Sequence, residues 1–302
     1  MNKKSIWSHL EDGFDILGGY GYPMMDKTAE ELNLDGDWFT WIAAIWLFGS
    51  QPITTAKFMK MFPYGLARLN EECFTSAARQ GYLMLDKEGG YSSTEIGINV
   101  ALKIWRQAGE SLANLKPMPE ENLQHLYNYL ERLVEASLAI PQPPSHFYLS
   151  HKRENYRRLG TIHPLENFVV LFGELAAYRD DMHIGAWQAH QIEGHAWDMF
   201  DKIYSGESLT IDGLYAKLKR RGLSQEIYIQ DLQELIERGW VSERANEYQI
   251  TPAGKKVRED VEAQTERLFF APWSCLDERD LEDLMSLATQ LHDGLQNPKE
   301  KM

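Results

Sequence analysis

Residues 237–257 read ERGWVSERANEYQITPAGKKV, and residues 79–100 read RQGYLMLDKEGGYSSTEIGINV. Tyr91, Thr94, Gly97 and Val100 stand opposite Tyr248, Thr251, Gly254 and Val257 at a constant offset of 157, and Gly81 stands opposite Gly239 at 158. Farther on, Leu123 and Leu126 meet Leu281 and Leu284, again at 158. The spacing holds over about 45 residues with a single slip in a loop. A period this long means a duplicated domain, since solenoid units run about 20–50 residues.

Local chemistry gives both copies the same order of elements. In each, a glycine ends a helix, because its tolerance of positive φ lets the chain leave sharply. A short hairpin follows, and a threonine N-cap then opens a long helix. The first half predicts helices over 38–48, 54–62 and 66–79, a hairpin over 82–93, and a helix from Thr94 through Trp105 toward Leu115. The second predicts helices over 196–204, 210–221 and 224–238, a hairpin over 240–250, and a helix from Thr251, with Pro252 at its first position. Trp38, Trp41 and Trp46 fall partly on one helical face, and Cys73 lies inside the third helix, so all four read as core.

Three helices, a two-stranded wing and a long helix form the order of a winged helix-turn-helix. The frame of RGW (238–240), ITPAGKKV (250–257) and DERDLEDLMSLATQL (277–291) resembles the MarR-type regulators. That resemblance implies that helices outside the winged units form a dimer interface. Two tandem copies then imply a mainly α fold with small two-stranded wings, an intramolecular pseudo-dimer of repeats over 1–140 and 164–302 joined by a Pro-rich, basic linker over 141–163. The second half more closely resembles the SalK-type family of tandem winged-helix proteins, through Arg179-Asp180-Asp181-Met182-His183 and the stretch from Val261 to Trp273. This second resemblance implies a fold and a suspect site, without an activity.

Winged helices read bases with the third helix and use the wing on the DNA backbone, mostly through Arg, Lys, Asn and Gln. Here the kit is thin. The third helix of the second half carries four acidic residues and one arginine, at its far end. Base readers reduce to Arg68, Gln225 and Tyr228. Phosphate contacts fall to Lys217, Lys219, Arg220 and Arg221, with Lys87 and Arg244 near the wing tips. Such a set supports weak, strongly salt-dependent binding to double-stranded DNA.

Two further segments carry chemistry. Pro141 to Ser145 reads as a stiff spacer. The run after it, His146 to Arg158, holds Lys152, Arg153, Arg157 and Arg158, either as a solvated linker balancing acidic helices or as an anchor for a phosphate or carboxylated ligand. The segment from Leu165 to Gln191 contains Tyr178, Arg179, Asp181, His183, Trp187 and His190. Arg179, His183 and Trp187 share a helical stripe that His190 would continue, which suits an interface packing seam, a ligand pocket between the halves, or an acid–base group. Asp181 lies about 200° around the helix from His183, so it cannot orient that imidazole and is expected to pair with a basic residue or cap the approach to the site. His183 and His190 are about 10 Å apart along the axis, too far for one zinc, and no metal or cofactor is expected. The first half places Tyr20, Tyr22 and Asp26 in the matching region, in a glycine-rich stretch that is no phosphate loop. The mismatch predicts one specialised site per chain.

Composition bounds the rest. With 43% apolar and 25% charged residues the chain can bury a core, and 31 Lys+Arg against 45 Asp+Glu (net −14) argues against bulk coating of nucleic acid or anionic lipid. Its two cysteines make no disulfide framework, and its apolar runs are too short for a membrane span. The expectation is a cytoplasmic, ligand-responsive transcriptional regulator, monomeric or weakly dimeric. Its rival is a winged-helix scaffold turned to binding or transforming a small molecule with Arg179, Asp181 and His183.

Overall fold

Thr94 and Thr251 build the same joint twice in the computed structural model, which describes residues 2–34, 37–140, 146–161 and 163–296. Thr94 Oγ1 accepts the Gly97 amide proton (3.0 Å) and reaches the Gly81 carbonyl at 2.7 Å; Thr251 Oγ1 accepts from Gly254 (3.0 Å) and reaches Gly239 at 2.6 Å. A Cβ on Gly97 would stand 2.1 Å from the Tyr82 carbonyl oxygen, and one on Gly254 2.1 Å from that of Trp240. The glycines are thus required by close approach of hairpin backbone to helix. The repeat seen in the sequence is the record of this joint.

The first half runs α1 (Lys3–Glu31), α2 (Trp38–Phe48), α3 (Thr55–Met59), α4 (Ala67–Arg79), β1 (Leu83–Leu85), β2 (Tyr91–Ser93), α5 (Glu95–Glu110) and α6 (Glu120–Ala139). After α7 (Phe147–Leu159), the second half runs α8 (Pro164–Gln188), α9 (Gly194–Tyr204), α10 (Ile211–Leu218), α11 (Gln225–Glu237), β3 (Val241–Arg244), β4 (Glu247–Ile250), α12 (Pro252–Phe269) and α13 (Glu278–Gln296). Both hairpins are antiparallel, with Leu83 opposite Ser93 and Val241 opposite Ile250. Each is extended by the residue preceding the middle helix. Ile53 bridges Tyr91, and the Tyr248 amide donates to the Leu209 carbonyl at 2.7 Å.

Three apolar cores result. One is built on α2, α4 and α5, another on α9 to α11, and the third joins α1, α6, α8, α13 and the end of α12. In that third core the contacts are reciprocal. α1 packs on α5 of its own half and α13 of the other, while α8 packs on α12 and on α6.

Several expectations change. α1 runs unbroken through Gly18, Gly19, Gly21 and Pro23, where the sequence offers breakers, because Ile6, Trp7, Leu10 and Leu17 bury a continuous face. α3 stops at Met59 rather than Phe62. α5 stops at Glu110, its chain turning through Ser111 to Asn114 instead of continuing to Leu115. α10 ends at Leu218, and Lys219–Arg221 tighten into a 3₁₀ turn closed by Gly222 at φ 73°. The Pro141–Ser145 spacer lies outside the described residues. The basic run is no solvated linker: it folds as α7 and packs on α2 and α8.

Candidate functional site

The helix-turn-helix of the second half is assembled by buried polar contacts as well as apolar ones. His195 Nδ1 on α9 meets Asp231 Oδ2 on α11 at 2.8 Å, in the core. Burial opposes the charge on His195, but the hydrogen bond to Asp231 outweighs it and raises the imidazole above its usual range. Sequence reading passed over this buried carboxylate–imidazole pair. Tyr228 is fully buried and its hydroxyl donates to the Leu218 carbonyl, so it cannot read bases. Gln225 donates to Asp212, and Lys217 lies 3.9 Å from Glu207. Arg221 pairs with Asp198 at 2.8 Å and stacks over Tyr64 of the first half. Lys219, Arg220 and Arg244 stay exposed, as do Arg68 and Lys87 in the first half.

The two units are unequal in what they leave free. Tyr64, Leu66 and Leu69, at the start of α4, pack against the core of the second unit, and a Cβ on Gly194 would meet the Pro63 carbonyl oxygen at 2.1 Å. The end of α4 that would lead into a DNA groove is therefore held by the other unit. On α11, Glu226, Ile229, Gln230, Gln233 and Glu237 are exposed, without a cation among them.

On α8 the suspected residues divide between two faces. Arg179 pairs with Glu262 of α12, and Arg258 bridges Glu262 (2.9 Å) to Asp201 (2.7 Å). Burial works against the Glu262 charge, but Arg179 and Arg258 outweigh it and hold the carboxyl below its usual range. Beside this network Trp197 Nε1 donates to His183 Nε2 at 3.2 Å, which leaves the proton on Nδ1 to donate to Thr265 Oγ1, also at 3.2 Å. Burial, reinforced by Arg258 and Arg179, pushes His183 down to about 4. Both ring nitrogens are thus engaged in a neutral imidazole, which suits cross-linking of helices rather than proton transfer. Trp187 stacks on Trp197 with ring centres 6.0 Å apart. His190 does not continue the stripe: α8 ends at Gln188, and the His190 ring turns onto Trp240. Asp181 points the other way, accepting the Tyr148 and Leu149 amides at 3.0 Å each. It thus caps α7 through backbone amides, where a pairing with a basic residue or a cap on the approach to the site was expected. Tyr178 lies beside it, fully buried against Phe269 and His146.

The space for a ligand lies elsewhere. A largely apolar cavity of about 210 Å³ opens between α1, α2, α5, α7 and α8. Gly18, Gly21, Ala108 and Gly109 hollow it, while Trp46, Trp105, Tyr148 and Tyr156 wall it. Lys152 enters from α7, its Nζ 4.9 Å from the Tyr156 ring centre and 5.4 Å from that of Tyr148. Burial pushes this ammonium down to about 8 against the pull of Asp180 and Glu174, and burial pushes Asp180 up to about 6. Its neighbours in the basic run turn to carboxylates. Arg153 and Arg157 clamp Glu131 and Glu174, and Arg158 pairs with Glu154. Glu166 lies buried in the first turn of α8, facing Gly109. Sequence reading had Lys152 only as one of four cations. The signal that was available is the cluster of glycines on α1, which leaves room opposite small residues of α5. Among the described residues no three His, Cys, Asp or Glu side chains converge as a metal site, and no helix is long and apolar enough to cross a membrane.

Residues 174–298, from the middle of α8 to just beyond α13, match a helix-turn-helix family. No curated protein and no solved structure matches the chain. The second half thus contains a helix-turn-helix domain, a class of module that docks a helix in the DNA major groove.

Proposed function

We propose that the chain is a ligand-responsive DNA-binding regulator made of two MarR-like winged-helix units, 1–140 and 164–302, fused as an intramolecular pseudo-dimer. The observation that carries this reading is the helix-turn-helix match over 174–298, in a unit that leaves Lys219, Arg220 and Arg244 exposed. The reciprocal packing of α1 on α13 and of α8 on α6 supports the pseudo-dimer, since each half supplies what a second subunit would. DNA contact then rests on the second unit. With acidic residues on the exposed face of α11, affinity comes chiefly from phosphate contacts. Arg244→Ala weakens binding to all sequences and shallows the dependence of log K on log salt by about one. A duplex from upstream of the gene, titrated at low salt, provides the measurement.

A second reading, a winged-helix scaffold turned wholly to small-molecule binding, is favoured by the held start of α4 and the cation-free face of α11. Absence of DNA binding at low salt selects it over the regulator.

A further inference from the structure

We propose that the chain takes a single half-site of duplex DNA, in the second unit alone, because the start of α4 is seated on the Gly222 turn of that unit and cannot enter a groove of its own. The inference rests on the DNA-binding reading above and states how much DNA that reading takes.

Spacing is the first argument. Leu69, in the first turn of α4, lies so near Gly222 that a Cβ there would stand 3.1 Å from its Cδ1, and Gln225 opens α11 three residues beyond. One side chain and three residues of backbone put the two helix starts at most about 20 Å apart. Paired recognition helices that read successive major grooves with their first turns stand about 34–36 Å apart. The two starts are too close for that.

The seat itself is closely fitted. A Cβ on Gly194, where α9 begins, would meet the Pro63 carbonyl oxygen at 2.1 Å, so backbone lies against backbone. Tyr64 stands between Trp187, with ring centres 6.1 Å apart, and Arg221, which Asp198 holds at 2.8 Å. Leu66 and Leu69 close the seam on the apolar core of the second unit. One short segment of the first unit thus steadies both α9 and the turn before α11, at the cost of its own reading end.

Charge makes the same division. On the first wing Met84 and Leu85 are 61% and 55% exposed, and Lys87 stands between Asp86 and Glu88. α4 offers Arg68 and Arg79 against Glu71 and Glu72. Neither element makes a run of cations for a phosphate backbone. The second unit keeps Lys219 and Arg220 exposed before α11 and Arg244 exposed on its wing. The first unit is a brace, and the second is the reader.

Titrate the intact protein at low salt, and across a salt series, with a mixed-sequence duplex of about 24 bp, long enough to offer two successive major grooves. Glu72 on α4 and Gln230 on α11 correspond at the offset of 158, and both are exposed. Gln230→Lys tightens binding and steepens the dependence of log K on log salt by about one, whereas Glu72→Lys leaves that slope unchanged. A steeper slope in Glu72→Lys places the first unit on DNA and overturns the proposal. The second arm ties the units together. Tyr64→Cys and Arg221→Cys, with the exposed Cys275 replaced (Cys275→Ser), are joined within one chain by a short bismaleimide. The linked protein binds the duplex as tightly as the same variant with its thiols capped singly. Loss of binding on linking shows that the units must part to meet DNA, and failure of the thiols to join shows that they are not seated; either overturns the proposal. Absence of DNA binding by the unaltered chain overturns the regulator reading and this inference with it, whereas a two-unit response overturns this inference alone.

Discussion

The seam between α1 and α5 and the seam between α8 and α12 occupy matching places in the two halves, and they are built in opposite ways. The second is closed by charge and hydrogen bonds: Arg179 to Glu262, and His183 to Thr265 and Trp197. The first is left open by Gly18, Gly21, Ala108 and Gly109 and lined with aromatic rings. A duplicated backbone fixes where two helices meet, whereas the side chains at a few positions decide whether the meeting is filled. One half keeps rigidity and the other keeps room. The joints at Thr94 and Thr251 show what duplication holds constant, since there the constraint is on backbone itself.

The largest effects fall on what the halves share. Gly97→Ala and Gly254→Ala each force a methyl to within 2.1 Å of a carbonyl oxygen, so the hairpin must move off the helix. Each is expected to cost about 3 kcal/mol or more by denaturant unfolding, with similar losses at both sites. A large loss at one and none at the other would break the equivalence of the joints.

Asp181→Ala comes next. It strips two amide hydrogen bonds from the start of α7, both in the interior, and is expected to cost about 2–4 kcal/mol. Hydrogen exchange localises the damage, with amides of 147–150 losing protection first. Equal loss of protection along α12 would assign Asp181 to the wrong seam.

The filled seam also carries a pH signature. His183 is held neutral in the folded chain, its value pushed from 6.5 to about 4. The unfolded chain therefore takes up the proton first as pH falls. The stability tied to this group is complete above pH 6.5 and is lost between there and about pH 4. The loss is on the order of 3 kcal/mol. His183→Gln flattens that part of the profile, and an unchanged profile in the variant would show that the imidazole titrates freely.

The smallest effect separates the seams most directly. Ala108→Leu places apolar volume in a void and is expected to change stability by less than about 1 kcal/mol, toward a gain. Thr265→Leu, at the corresponding position, orphans His183 Nδ1 and is expected to cost about 1–3 kcal/mol. Urea unfolding of the two variants measures both signs, and matching signs would mean that the seams are packed alike.

Much of this was legible in one dimension. The spacing from Tyr91 to Val100 and from Tyr248 to Val257 disclosed the duplication, because caps and close backbone approaches are local and leave fixed residue types at fixed intervals. The helices from Trp38 to Phe48 and from Gln225 to Glu237 followed from apolar period and punctuation. Charge already indicated that α11 presents an acidic face. Arg179, His183 and Trp187 were recognised as one stripe, and they are one.

Other features were decided only by the assembled chain. α1 passes through four glycines and a proline because burial on α5 and α13 outweighs its weak propensity. His183 became a closed cross-link, and Asp181 a cap, through partners that lie 82 and about 32 residues away in the chain. Lys152 looked like Arg153, Arg157 and Arg158 in sequence, yet it alone enters the cavity while they turn to glutamates. Periodicity states which residues share a face of one helix. What that face meets, a carboxylate, a ring or a void, depends on helices brought from elsewhere in the chain, and the chemistry of the cavity was set there.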